Sequence, residues 1–429
     1  MKVHIKSKQF QSFAGLFFPL MEMRTIGLSS LINSDLGLRA SGLGYSYSEI
    51  VENLFAIFYA GGDCIEDIHS HLHDELSSMP GFRVPSPDTL LRGIKELATE
   101  NTHYTSAKEI QYKFNVNKKM NTLLIKALLQ TKQLSQGTEY DFDYDNQLVP
   151  TEKYDSTYSY KKCFGYFPGV GTIGDKIVYI ENRDGNANVR FKQEETLERA
   201  YKQLKDQGIC INRSRMDCGS YSKEIITIVD KYSKRFYIRA RKSEILYNRI
   251  TEITDWKAVE INNVRYEVAS LKFTSFAEEK NYRLVIAREK TKDLQMNLFT
   301  KDSCKYRSIL TNDWEGSEKE IIEFYNQRGA SEKTFDIMNN DFGWKKLPCS
   351  FQNENLVFMI LTAMMKNFFS FLTEKYAKVC KGLTPTCRLK KFIFQFITVV
   401  GKWRFQARGW HLDLYTNRTF YENLLTTTQ

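Results

Sequence analysis

No two of the eight cysteines in this 429-residue chain have CxxC spacing, which argues against a zinc ribbon or a dithiol redox motif. A chain of this length needs no disulfides, so reduced thiols are the simple expectation. There is no internal repeat and no low-complexity segment, which argues against a solenoid or a disordered tail. The N-terminus, MKVHIKSKQFQSFAGLFFPLMEM, has lysines and an apolar run ending at Met21. That run is short, contains Pro19 and has no small-residue cleavage site, so a secretory leader is not expected. The best candidate membrane span, LVFMILTAMMKNFFSFL, carries Lys366 and Asn367 in its middle and reads as a buried core helix.

What is abundant is positive charge and aromatic surface. The 61 Lys and Arg outnumber the 51 Asp and Glu, giving a net charge of +10 and a pI near 9.0. The basic residues are interleaved with 24 Tyr and 29 Phe and are not gathered in one tail, so nucleic acid is the first candidate for an anionic partner. With 42% hydrophobic residues the chain can bury a sizeable core in two or three domains.

Residues 1–135 read as mostly helical. VPSPDTLLRGIKEL offers proline and a Ser or Asp cap, then Leu90, Leu91, Ile94 and Leu97 on one side. Short helices with tight turns and Arg83, Arg92 and Lys95 suit a helix-turn-helix module, with a plain helical bundle as the alternative. At 138 the period changes. TEYDFDYDNQ alternates, with Tyr140, Phe142 and Tyr144 on one face and Asp141, Asp143 and Asp145 on the other. Two more strand-like runs follow, then helix, strand, helix, strand. This divides the chain into a first core part at 136–242, a β-rich insertion at 243–315, a core helix at 316–350 and a helical region at 351–429.

Three adjacent strands with an acid on the first resemble the ribonuclease H arrangement: an α/β core with a β-rich insertion and helical flanks. Phosphodiester cleavage requires an activated nucleophile and neutralisation of developing charge, which two magnesium ions about 4 Å apart can supply. Magnesium prefers oxygen donors, so carboxylates distant in sequence must converge. The candidates are Asp143 on the first strand, with Asp141 on the same face as its alternative, Asp217 in RMDCGS, and Glu332. Within YNQRGASEKTFDIMNN, one helical stripe would carry Tyr325, Arg328, Glu332 and Asn339. The bland alternatives are an exposed Arg328–Glu332 pair, a polar strand face and an Asp217 helix cap.

That stripe resembles the Tyr-x2-Arg-x3-Glu-x6-Lys signature of DDE transposases from bacterial insertion sequences, with Asn339 where the family has lysine. FDYDN, GYFPG, NRDGN, RMDCGSYSKEI, YIRAR and LTNDW are similar to other stretches of that family. The resemblance implies Asp143, Asp217 and Glu332 as ligands of Mg²⁺, as two ions with Mn²⁺ as a substitute. It implies Tyr325 and Arg328, with Asn339, as DNA contacts. It further implies double-stranded DNA as partner (terminal inverted repeats and target), a homodimer on DNA, no membrane, and a bacterial cytoplasm near the nucleoid. The reaction implied is hydrolysis at the element ends followed by transesterification into target DNA. A structure-specific nuclease and an inactive DNA-binding derivative are the alternatives.

Three further features stand outside the signature. Trp314 could stack on an extruded base or pack in the core. His69, His71 and His73 suggest zinc, but a helix brings only two of them to one face, so a solvated face is preferred. The basic run Arg388, Lys390, Lys391, Lys402, Arg404 and Arg408 reads equally as a DNA-tracking face or a solvated one.

Overall fold

The computed structural model describes residues 1, 3–4, 10–39, 44–274, 280–290 and 302–426. Parts of the N-terminal run and of the β-rich segment therefore lie outside the described residues. An eleven-stranded sheet organises the molecule. In chain order its strands are β1 (Thr102–Thr105), β2 (Gln111–Asn115), β3 (Glu139–Asn146), β4 (Gly169–Ile173), β5 (Lys176–Arg183), β6 (Cys210–Met216), β7 (Ser233–Arg239), β8 (Lys257–Ile261), β9 (Val264–Phe273), β10 (Tyr282–Lys290) and β11 (Cys304–Thr311). The helices that frame it are α1 (Phe17–Thr25), α2 (Leu28–Leu36), α3 (Tyr47–Tyr59), α4 (Pro87–Lys95), α5 (Lys118–Gln130), α6 (Gln193–Asp206), α7 (Lys223–Tyr232), α8 (Glu318–Asn326), α9 (Ala330–Asp341) and α10 (Gln352–Tyr376).

Across the sheet the order is β1-β2-β5-β4-β3-β6-β7-β11-β10-β9-β8. At its centre β3–β4 and β4–β5 pair antiparallel, while β3–β6 and β6–β7 pair parallel. This is ribonuclease H topology. Parallel neighbours need crossovers, and α6 and α7 supply them. The alternation of β3 holds: Phe142 and Tyr144 are buried against Leu197, Tyr201 and Val229 of those two helices. The acids take the other face.

The β-rich segment is not a detached subdomain. Its strands extend the same sheet from β7 outward, because the open edge of β7 accepts β11 as an antiparallel neighbour. Helix α8 then returns across this extension, burying Ile321, Ile322 and Tyr325 against Tyr237, Val285 and Ile309.

The N- and C-terminal helical regions share one core, in which α1 to α5 pack with α10. The Tyr59 hydroxyl donates to the Met365 carbonyl at 2.9 Å. The polar pair inside α10 docks that helix on the sheet. Lys366 pairs with Asp175 at 3.1 Å, and the Asn367 amide bonds both the N–H and the carbonyl of Ile177. The long apolar helix is thus 89% buried within the protein over its most apolar stretch.

Neither flank is wholly helical. β1 and β2 form a hairpin on the sheet edge, and Val400–Gln406 pairs with Gly409–Tyr415 as a second hairpin. The tight turn of the second has Ala407 and Arg408 at φ of 51° and 64°. Trp403, Phe405, Trp410, Leu412 and Leu414 share one face of it by strand alternation.

Candidate active site

The polar face of the sheet centre is built in rows across β3, β6 and β7. A β-bulge sets them. Tyr140 lies opposite Ile211, but Asp141 lies opposite Arg213, so Asn212 is the extra residue. Without that slip, Arg213 and Arg215 would face the Phe142 side. With it, the first row is Asp141, Arg213 and Arg235, and the second is Asp143, Arg215 and Tyr237. One step further, beyond the pair Tyr144 and Met216, Asp145 stands beside Asp217, with Arg239 level on β7.

The first two rows are closed. Arg213 donates to Asp141 at 2.7 Å, and Arg215 holds Asp143 through both oxygens at 2.6 and 2.7 Å. Phe324 of α8 lies over both guanidinium groups, and its carbonyl accepts from Arg215 at 2.8 Å. Asp143 is only 3% exposed. The expected first ligand is therefore half of a buried, bidentate ion pair, and Asp141, its alternative, is likewise paired. Burial raises the Asp143 pKa and the Asp141 charge adds to the rise, but Arg215 opposes it and each carboxylate is already neutralised by its arginine.

The third row is different because it sets acid beside acid. Burial raises the Asp145 pKa, the Asp217 charge raises it further, and Arg328 opposes the rise. One Asp145 oxygen accepts from the Asn146 N–H, and the other accepts from Arg328 at 2.9 Å and from the Ser331 hydroxyl at 3.2 Å. Asp217 uses one oxygen to cap the 3-10 turn Cys218–Ser220, accepting from the Gly219 N–H at 2.9 Å. The cap and the second-acid position are thus compatible roles for one carboxylate.

The expected single helical stripe is divided. A 3-10 turn at Gln327–Gly329 separates α8 from α9: Tyr325 and Arg328 lie together beside Asp217, whereas Glu332 is exposed and Asn339 faces a separate cavity. Tyr325 is buried, and its hydroxyl donates to the Met216 carbonyl at 3.2 Å, bracing the end of β6 just before Asp217. Burial pushes its pKa up to about 12. Arg328 reaches Asp145. Glu332 is exposed on the first turn of α9, next to the Ser331 that touches Asp145. Asn339 lies two turns along, lining a cavity of about 490 Å³ with Lys345, Lys346 and Lys390. Trp314 is 53% exposed, which rules out core packing. Its neighbours Asp313 and Glu315 pair with Arg235 of the first row. The first row is four residues from the third, about 13 Å at 3.3 Å per residue, so Trp314 is not beside the acid pair.

Carboxylate oxygens are the donors a divalent cation prefers, and the Arg328 guanidinium already stands as a cation on Asp145. The donor set Asp145, Asp217 and Glu332 fits such an ion in chemistry. As the chain stands, the three do not meet within 4.8 Å of one another. Among the described residues, Asp63, Cys64 and Asp67 do. That cluster has a structural account, since Asp67 accepts the Asp63 N–H at 2.8 Å and the Cys64 N–H at 3.3 Å and so closes a loop. Of the histidines, His69 and His73 bring their rings to 5.8 Å on an exposed surface.

Sequence reasoning missed Asp145 as a ligand candidate, and Arg239. A signal was available. Set against RSRMD, the run DFDYD pairs acid with arginine, acid with arginine and acid with acid, which singles out Asp145 and Asp217.

The family profile described as Transposase DDE domain group 1 matches residues 1–422. No curated protein matches the sequence. Among solved structures, the piggyBac transposase synaptic complex with hairpin DNA aligns at 13% identity with a TM-score of 0.45, covering 92% of this chain and 83% of that one. The Drosophila P element transposase strand transfer complex aligns at 11% identity with a TM-score of 0.27, covering 88% and 96%. Neither structural likeness is close enough to carry an argument. The profile spans nearly all of the sequence, and by that match the chain belongs to the Transposase DDE domain group 1 family.

Proposed function

We propose that this protein cuts DNA at the ends of a mobile element and joins those ends to target DNA, with Asp145, Asp217 and Glu332 holding the divalent metal. The observation that carries the reading is the third row, where the acid–arginine alternation of the sheet gives way to two adjacent carboxylates. When bound, Mg²⁺ would activate the attacking oxygen and neutralise charge on the leaving one.

The chain's own residues do the rest. Tyr325 fixes the end of β6 and so the direction of Asp217. Arg328 covers Asp145 until a better cation displaces it, and a guanidinium released beside the site can then grip a DNA phosphate as a fork of donors. Glu332 reaches the pair through a shift of the first turn of α9. Cleavage and joining at two ends call for two copies of the chain on DNA, and terminal inverted repeats are the natural substrate.

The test is cleavage and strand transfer with labelled element-end DNA and a supercoiled target plasmid in Mg²⁺. Products joined to the plasmid, lost in Asp145→Asn, Asp217→Asn and Glu332→Gln, support the reading. Cutting without joining would make the protein a nuclease on the same fold. Binding with no cutting would make it a DNA-binding derivative.

A further inference from the structure

The third row ends on a cation that no acid holds. In the first row Arg235 pairs with Asp313 and Glu315, and in the second Tyr237 donates its hydroxyl to Asp313 at 2.8 Å. Arg239 occupies the same place in the third row. Among the described residues it makes no ion pair and no hydrogen bond, and its guanidinium lies 6.0 Å from the centre of the Tyr325 ring. Ile309 of β11 pairs with Arg239, so Arg307, two residues before it, shares that face on the diagonal, about 7–8 Å away. Arg307 also lacks an acid partner among the described residues. Both side chains are half-buried. Burial depresses the Arg239 pKa, and the charges of Arg307 and Arg328 depress it further.

Charges taken out of water are normally paired, because an unpaired one loses hydration without compensation. Two neighbouring arginines that no described acid pairs with therefore form a site lacking its anion. We propose that Arg239 and Arg307 bind a phosphate of the DNA strand that is to be cut. The position is suitable. Arg239 and Asp217 each follow the last registered pair, Ile238 and Met216, which places them about 4.8 Å apart across the sheet by continuation of the strands, so a phosphate held there leaves the adjoining phosphodiester facing the acid pair. A guanidinium presents the planar pair of donors that two phosphate oxygens accept. This site also gives the β-rich extension a role, since β11 contributes half of it. The inference rests on the transposase reading of the acid row.

The experiment uses the full chain with Arg239→Met, Arg307→Met, the double variant, Arg239→Lys and, as a charge control, Lys108→Met at an exposed lysine outside the site. Two quantities are measured without metal: the urea unfolding midpoint, and the affinity for a short fluorescein-labelled duplex across a range of salt. Each methionine variant is expected to be at least as stable as the parent, because it removes an uncompensated charge. Each is expected to lose about tenfold or more in DNA affinity and to lower the slope of log K against log salt by about 0.9. Arg239→Lys should keep the slope and lose affinity, and Lys108→Met should leave affinity nearly unchanged. Affinity and slope equal to the parent's in the double variant would overturn the proposal while leaving the transposase reading in place. A clear drop in stability would make these arginines structural and also overturn it. A parent chain that binds no duplex would remove the transposase reading, and this inference with it.

Discussion

Asp143 and Asp145 lie two residues apart on one face of β3, and mutating each tests the proposal that Asp145 holds the metal while Asp143 holds the fold. Asp143 and Arg215 have side chains only 4% and 8% exposed. Asp143→Ala leaves the Arg215 guanidinium buried without its carboxylate, which costs about 3–5 kcal/mol. That is a large part of the roughly 5–15 kcal/mol that holds a typical domain together. Asp145 and Arg328 are more open, with side chains 20% and 18% exposed. Asp145→Asn removes one such pair and also relieves repulsion from Asp217, so its net cost stays within about 1 kcal/mol. Urea unfolding reads the first effect and Mn²⁺ binding followed by electron paramagnetic resonance reads the second. Asp143→Ala should unfold at much lower urea yet bind Mn²⁺ where folded. Asp145→Asn should unfold like the parent and lose Mn²⁺. The double variant Asp143→Ala with Arg215→Met should recover much of the lost stability, since it removes both buried charges. The reasoning fails if Asp143→Ala is as stable as the parent and has lost the metal while Asp145→Asn still binds it.

Arg328→Ala should bind Mn²⁺ more tightly than the parent in the absence of DNA, because it removes the cation already seated on Asp145, and yet cleave more slowly; equal metal affinity by calorimetry would show that Arg328 does not compete. Tyr325→Phe removes the hydroxyl's bond to the Met216 carbonyl and should cost about 0.5–1.5 kcal/mol in urea unfolding, with no change in the salt dependence of DNA binding; a changed salt slope would restore a phosphate role for this hydroxyl. Asp217→Asn removes the like charge that raises the Asp145 pKa, so Asp145 should titrate at lower pH by NMR, and an unshifted Asp145 would place the two acids too far apart to share an ion. Trp314→Ala should leave the free energy of urea unfolding within about 0.5 kcal/mol of the parent's, and a larger loss would mean that the exposed ring packs in solution.

Much of the fold was legible because periodicity reports burial. The alternation in TEYDFDYDNQ separates Phe142 and Tyr144 from the acids, and the helix and strand order that follows specifies a parallel sheet with crossovers. The Ser86–Pro87 start of α4 was equally clear, with the Ser86 hydroxyl accepting from the Thr89 N–H at 3.3 Å. The hairpin at 400–415 was not legible, because a run dense in aromatic and basic residues fits either period and the decisive turn rests on positive φ at Ala407 and Arg408. The division of the α8–α9 stripe was also hidden, since nothing in QRGAS requires a 3-10 turn. Glu332 and Asp217 are candidates that motif and spacing supply. The choice among Asp141, Asp143 and Asp145 could not be made from the pattern, because all three share one face; their different partners appear only in the fold.

The sequence by itself determined that β3 carries its acids on one side, that three acid-bearing segments lie far apart along the chain, and that the chain is basic enough to seek a polyanion. Only the tertiary structure decided which acids meet. Side chains in a sheet alternate with a period of two, so the one-residue bulge at Asn212 turns the β6 arginines toward Asp141 and Asp143 and leaves Asp217 for Asp145. A bulge is the outcome of pairing between strands about seventy residues apart, and neither strand specifies it alone.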